Sequence, residues 1–142
     1  TAQCSSSKNN ELKKIGANEI VSRKADLVKE LGKNKYDVVI DLVAGDKWSQ
    51  LCEILKPGGR YATAGAIAGP MVNLDVRTLY LKDLTFYGCT YQPVKVFRNL
   101  IKYIENGEIK PLVAKTYPLK EIKKAQEDFL LKKHIGKLVL TN

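Results

Sequence analysis

Two short runs of small residues stand out as places where chemistry could be hosted: Leu42-Val43-Ala44-Gly45 and Ala64-Gly65-Ala66. Each follows an apolar stretch with strand character, and each presents main chain with little side chain over it. A flat ligand can rest against such backbone because no bulky group holds it off. Elsewhere the sequence is poor in reactive constellations. The single histidine, His134, reads as a helix-terminal surface residue, and no nucleophile–base pair is visible. The three cysteines, Cys4, Cys52 and Cys89, are far apart and lack metal-ligand spacing. They read as reduced thiols, Cys52 in a core and Cys89 in a strand. Asp41 ends a strand and Asp46 is placed to cap a helix, so both read as structural. No catalytic residue and no metal ligand is assigned.

The element that positions the two small-residue runs is the stretch from Asp37 to Pro70. An apolar strand runs up to Asp41 and Val43, and Ala44-Gly45-Asp46 makes a turn. A helix follows with Trp48, Leu51, Cys52 and Leu55 near one face, and Lys56-Pro57-Gly58-Gly59 breaks it. A second strand then spans Arg60 to Ala66. The strands lack clean alternation, which predicts a parallel sheet covered on both faces. Parallel neighbours need a right-handed crossover, and ligands of such sheets sit beyond the carboxyl ends of the strands.

The rest of the chain keeps the same alternation. Thr1 to Ser5 reads as a strand. A helix over Lys8 to Ile15, with Ser7 as N-cap and Leu12 and Ile15 buried, ends at Gly16. Asn18 to Ser22 is a strand, and Lys24 to Leu31 a helix closed by Gly32. After Gly69-Pro70, Asp75 to Lys82 reads as a short helix and Leu84 to Thr90 as a strand. Pro93 opens a helix whose stripe Val94, Phe97, Leu100, Ile101 and Ile104 is expected in the core, ending at Asn106-Gly107. Lys110 to Val113 is extended. Leu119 to Lys132 is a helix with Leu119, Ile122, Ala125 and Phe129 inward, and Lys137 to Thr141 is a last strand. The expected class is α/β.

Bulk properties set limits. The chain has 142 residues, enough for one domain with a core. No apolar run approaches the ~20 residues of a membrane helix, and Thr1 to Ser5 do not resemble a signal peptide. A cytoplasmic protein is the expectation. The net charge of +9 comes from lysines interleaved with acids. That pattern reads as a solvated surface, with a positive field favouring anionic ligands, rather than a nucleic-acid footprint.

Taken together, "IGANEI", "YDVVIDLVAG", "LKPGGRYATAGAIAGP", "LYLKDLTFYGCT", "IENGEIKPLV" and "YPLKEIKKAQEDFLLKKHIGKLVLTN" occur in order at consistent spacings. In this the chain resembles the C-terminal part of the medium-chain dehydrogenase/reductases, on the quinone oxidoreductase branch of the zinc-type alcohol dehydrogenase-like superfamily. The resemblance covers essentially the whole chain. It implies an incomplete Rossmann-type parallel sheet over residues 1–107, and a segment, 108–142, whose helix and strand return to a separate catalytic domain. The family's G-x-G-x-x-G loop is not present in the sequence. The resemblance therefore implies a fragment lacking the first strand and the glycine loop, with a gap between the Thr1–Ser5 strand and the Asp37–Val43 strand. The two half-sheets would then pair directly or recruit another chain, and Ile122, Phe129 and Val139 would be partly uncovered.

The resemblance also implies a nicotinamide dinucleotide. NAD-specific relatives carry an acidic residue at the end of the second strand, where this chain has Gln3 followed by Cys4 to Ser7. Ser5 and Lys8 would instead hold a 2′-phosphate, which favours NADP over NAD. Val43 would lie near the adenosine ribose, and Ala64, Gly65 and Ala66 would flank the nicotinamide. Backbone groups of Ala64, Cys89 and Tyr91 would hold the carboxamide, and Lys137 would reach the pyrophosphate. The implied activity is zinc-independent, NADPH-dependent hydride transfer to a quinone or an activated carbon–carbon double bond, with little activity from the fragment alone. The strand Leu84 to Thr90 would pair across a homodimer. Two other readings compete. "LKPGG" between strands also occurs in class I S-adenosylmethionine-dependent methyltransferases, and the chain could serve as a non-catalytic dimerisation module.

Overall fold

The computed structural model describes residues 1–142. Its elements alternate as expected: β1 (Ala2–Cys4), a 3-10 turn (Ser6–Lys8), α1 (Asn9–Lys14), β2 (Ile20–Ser22), α2 (Leu27–Leu31), β3 (Tyr36–Asp41), α3 (Trp48–Ile54), β4 (Leu55–Thr63), α4 (Val76–Leu81), β5 (Thr85–Gly88), α5 (Val94–Glu105), β6 (Val113–Pro118), a 3-10 turn (Leu119–Glu121), α6 (Ile122–Leu131) and β7 (Lys137–Thr141). Every strand pair is parallel. The chain forms two compact units. The first comprises Thr1–Ser6 and Ala17–Gln92, the second Ser7–Gly16 and Pro93–Asn142.

In the first unit, β1 pairs with β2, and β3, β4 and β5 form a separate sheet in that order. The expected break between the two half-sheets is present: no backbone ladder joins β1 to β3. The halves are held by side chains instead. Val21 of β2, with Ala25 and Leu27, packs in one buried cluster with Ile54 of α3, bordered by Tyr36, Val39 and Leu51. The Leu27 amide donates to Gln50 Oε1 at 2.8 Å, tying the start of α2 to α3. Lys35 Nζ and the Thr1 hydroxyl donate to the Glu19 carboxylate at 2.9 and 2.6 Å. These bonds, Thr1 first, hold Glu19 down to about 2, below the usual carboxylate range. The group is exposed, so its contribution to stability is small.

The core of the three-stranded sheet is aromatic. Trp48 of α3 stands edge-on to Tyr61 of β4 at 5.5 Å and to Phe86 of β5 at 5.7 Å. Cys52, Leu55 and Leu84 complete the buried cluster. Each such side chain stabilises the fold by roughly 1.5–3 kcal/mol relative to exposure. Burial pushes the Cys52 thiol up to about 11, so it is a packing residue and a poor nucleophile. Lys82 closes the end of α3: its Nζ donates to the carbonyls of Cys52 and Glu53 at 2.8 and 3.1 Å.

Three expectations for this unit need correction. Lys56-Pro57-Gly58-Gly59 does not separate α3 from the next strand, because β4 begins at Leu55 and runs through it. Pro57 is accommodated where the β3–β4 register slips, and Gly58, at φ +73°, donates to the Lys82 carbonyl at 2.7 Å. The sheet is covered on one face only. Val39, Tyr61 and Phe86 face α3, whereas Val38, Ile40 and Tyr87 on the opposite face are exposed, Ile40 by 68%. Asp46 caps nothing: the residue before α3 is Lys47, and no side chain caps that helix. The caps that do form are Asp26 on α2 and Asp75 on α4, which accept from the Lys29 and Arg77 amides.

The second unit pairs β6 with β7. Tyr117 is its most buried large side chain and donates to Asp128 of α6, which Lys115 also meets at 3.1 Å. These contacts, the tyrosine first, lower the Asp128 carboxyl below its ordinary range. Sequence-based burial fails here. α1 starts at Asn9 with Lys8 at its N-cap position and no side-chain cap, and Ile15 is exposed. The stripe on α5, Val94, Phe97, Leu100, Ile101 and Ile104, is exposed as well. Of the four residues expected inward on the next helix, only Ala125 is buried, while Leu119, Ile122 and Phe129 are open. The excess of basic residues is concentrated in this unit, whereas acids and bases nearly balance in the first.

Candidate dinucleotide site

The ends of β3, β4 and β5 lie level with one another. Asp41 pairs with Thr63, and Thr63 with Gly88. The chain therefore leaves three parallel strands at one height, through Leu42–Gly45, Ala64–Ala66 and Cys89–Tyr91. The exits are knit together. The Ala64 amide donates to the Asp41 carbonyl at 3.0 Å, Ala68 to Val43 at 2.9 Å and Cys89 to Thr63 at 2.8 Å. The amides of Ala64 and Cys89 thus continue the sheet, which leaves their carbonyls as the groups available to a ligand.

Two glycines set the spacing. A Cβ on Gly65 would lie 2.8 Å from the Leu42 carbonyl oxygen, and a Cβ on Gly45 would lie 2.9 Å from the Ala68 Cβ. Gly45 also sits at φ +82°, following Ala44 at +52°. The small residues are therefore required for the strand exits to touch. Ala64, Ala66 and Val43 are exposed, and Tyr91 is almost fully so. The result is a shelf of bare main chain along the tips of a parallel sheet, which fits a planar ring.

Beneath the shelf lies a buried polar chain. Trp48 Nε1 donates to the Tyr61 hydroxyl at 2.7 Å, and that hydroxyl donates to Asp41 Oδ2 at 2.7 Å. Asp41 Oδ1 accepts from the amides of Val43 at 2.8 Å and Ala44 at 3.1 Å. The only buried carboxylate of the chain is thus fully partnered. Burial, and then the bond to Asp41, push the Tyr61 hydroxyl above the ordinary tyrosine value. A raised folded value favours the protonated form in the native state, so its stabilisation is complete below the ordinary value of 10.0 and is lost as pH climbs through the folded value. Urea midpoints are expected to hold from neutrality to about pH 9 and to fall more steeply above about pH 10 than those of Tyr61→Phe.

The other residues expected at a cofactor site are placed as follows. Ser5 follows β1 and is half-buried in the first unit. Lys8 and Lys137 belong to the second unit. Lys8 Nζ donates to the His134 carbonyl at 3.2 Å, so Lys8 is tied to the segment that leads into Lys137. Lys137 is exposed, and its amide starts β7 by donating to Leu112 at 2.8 Å. Lys8 is therefore not a freely solvated lysine. Sequence reasoning missed Tyr61. Its signal was an aromatic one residue beyond "LKPGGR", on the same face as an Asp at the neighbouring strand's end. The second unit also carries a half-open pocket of about 220 Å³ beside Lys115, Tyr117, Asp128, Lys133 and His134. Asp128 there is already engaged by Tyr117 and Lys115, so it reads as a structural contact.

Comparison with known proteins agrees with this architecture. Residues 15–140 match the family model described as zinc-binding dehydrogenase. The chain belongs to that family. It is 31% identical over 131 residues to the acryloyl-coenzyme A reductase of Metallosphaera sedula, covering 86% of this chain and 39% of the relative. It is 28% identical over 129 residues to quinone oxidoreductase-like protein 2 of Bos taurus, covering 84% of this chain and 37% of the relative. Among solved structures, a Sinorhizobium meliloti 1021 protein described as a candidate alcohol dehydrogenase superposes with a TM-score of 0.85 at 44% identity, over 98% of this chain and 40% of that one. The thermostable alcohol dehydrogenase of Pyrobaculum aerophilum gives 0.78 at 30% identity, over 99% and 42%. The chain thus spans about two fifths of the length of these relatives. The relatives leave the methyltransferase reading without support.

The family's description raises the question of zinc. The chain contains no group of three or more His, Cys, Asp or Glu side chains able to hold a metal ion, and its cysteines are Cys4 and Cys52, both buried, and Cys89, half-buried. These residues do not fit a zinc site.

Proposed function

We propose that this chain is the nucleotide-binding portion of an NADPH-dependent oxidoreductase that reduces a quinone or an activated carbon–carbon double bond without zinc. The observation that carries the reading is the level shelf of small residues at the ends of β3, β4 and β5. When bound, the nicotinamide supplies the hydride. The chain's own residues bind and orient. Ala64, Gly65 and Ala66 give the ring a surface without side chains, and the carbonyls of Ala64 and Cys89, with the backbone of Tyr91, hold the carboxamide. Val43 borders the adenosine ribose. Ser5 and Lys8 take the 2′-phosphate, and Lys137 the pyrophosphate. Residues 1–107 act as the dinucleotide part and 108–142 as a segment that completes a separate catalytic domain. The free edge of β5 pairs with a second copy in a cytoplasmic homodimer.

The relatives named acryloyl-coenzyme A reductase and quinone oxidoreductase are consistent with an electron-poor double bond or a quinone as acceptor. Calorimetric titration of the chain with NADPH and with NADH tests the cofactor. NADPH is expected to bind more tightly, and binding of neither overturns the proposal. Lys8→Glu replaces an attraction for the 2′-phosphate by a repulsion. It is expected to weaken NADPH about tenfold or more while leaving NADH within about twofold. Equal weakening of both would remove Lys8 from the phosphate site.

A further inference from the structure

The polar chain beneath the shelf has a second consequence. A buried carboxylate with a single partner would be costly, and Asp41 instead has every oxygen engaged. Oδ1 accepts two amides of the strand exit, Val43 and Ala44, and the Ala44 amide is shared with Oδ2 at 3.2 Å. Oδ2 is fixed by the Tyr61 hydroxyl, which is fixed in turn by Trp48. Trp48 stands edge-on to both Tyr61 and Phe86, which also touch each other at 5.2 Å, so the far end of the polar chain rests on β5. The exit it controls needs such control, since Ala44 is a non-glycine residue at φ +52°, a conformation of low intrinsic preference. The Val43 carbonyl in that exit also receives the Ala68 amide from beyond the Ala64–Ala66 run.

We infer that Asp41, steered by Tyr61 and Trp48, is a positioning residue for the dinucleotide: it holds the Val43–Gly45 exit in the one conformation that leaves the shelf open. Asp41 touches no ligand itself. It acts through the two amides it receives, and the Trp48–Tyr61 pair keeps its carboxylate turned toward them. The inference rests on the dinucleotide reading above and adds to it the device that shapes the shelf.

Two variants isolate the role from general stability. Tyr61→Phe keeps the ring and removes the hydroxyl, and Asp41→Asn keeps the shape and removes the charge. Leu79→Ala is the control, because Leu79 packs against the same core without joining the polar chain. The dissociation constant for NADPH is measured by calorimetry at a temperature where circular dichroism shows every variant folded. The amide resonances of Val43 and Ala44 are followed in the nucleotide-free chain. Asp41→Asn and Tyr61→Phe are expected to weaken NADPH by about tenfold, and to shift both amides. The double variant is expected to bind no worse than Asp41→Asn alone, because both act along one path. Leu79→Ala is expected to lower the melting temperature while leaving the dissociation constant and the two resonances in place. Wild-type NADPH affinity in folded Asp41→Asn and Tyr61→Phe, or an equal loss in Leu79→Ala, overturns the positioning role and leaves the dinucleotide reading standing. A wild-type chain that binds no NADPH overturns both.

Discussion

Gly65→Val is expected to abolish dinucleotide binding and to lower stability by about 1–3 kcal/mol. A Cβ at this position meets the Leu42 carbonyl oxygen at 2.8 Å and its carbon at 3.4 Å. The neighbour is main chain at the end of β3, so no side chain can rotate out of the way. The β3 and β4 exits must separate, and the Ala64–Asp41 and Ala68–Val43 bonds that knit them must lengthen. The branched methyls would also stand on the shelf itself. Calorimetric titration with NADPH reads the loss, and a thermal melt reads the strain. Undiminished NADPH affinity in a folded Gly65→Val chain would mean that the shelf is not where the ligand lies. Gly69→Ala serves as the contrast. Its Cβ meets nothing within 4 Å, so it carries only the backbone strain of φ +134°.

Gly136→Ala is expected to cause the largest loss of stability, about 2–5 kcal/mol. Here two penalties coincide. The residue sits at φ +99°, which a side chain rarely adopts, and its Cβ would come within 2.5 Å of the Leu112 carbonyl oxygen. That same oxygen accepts the Lys137 amide that starts the β6–β7 ladder. Hydrogen exchange reports the event directly: protection of the amides from Lys137 to Thr141 should collapse, while that of the β3–β5 ladder persists. Gly107→Ala shares the positive φ, at +76°, with open space around it, and should cost only about 1 kcal/mol. If the two substitutions prove equal, the close approach at Leu112 has no energetic weight.

What could be read from the sequence follows from which interactions are local. The strands and most helices were legible because their apolar runs and turn glycines act within a few residues. Gly16, Gly32 and Gly107 all stop helices at positive φ, as their positions suggested. The two small-residue runs were legible for the same reason: only small side chains permit the contacts that Gly45 and Gly65 make. Coverage was not legible. The α5 stripe and the Val38–Ile40 face have the pattern of buried surfaces, but pattern encodes only that a face is apolar, and what lies over it is a tertiary matter. The continuation of β4 through Pro57 was hidden because a register slip, not the local residues, makes room for it. Tyr61 was overlooked because its partners, 20 positions back in Asp41 and 13 back in Trp48, become neighbours only once the crossover has closed.

The order of assembly is written into how the units are threaded. The β3–β4–β5 sheet is drawn from one continuous stretch, so it can form as soon as that stretch has left the ribosome. The second unit takes Ser7–Gly16 from near the start of the chain and the remainder from Pro93 onward. Its Lys8–His134 contact closes a separation of 126 positions. That unit can therefore close only after His134 has been made, so its formation should lag behind that of the β3–β4–β5 sheet.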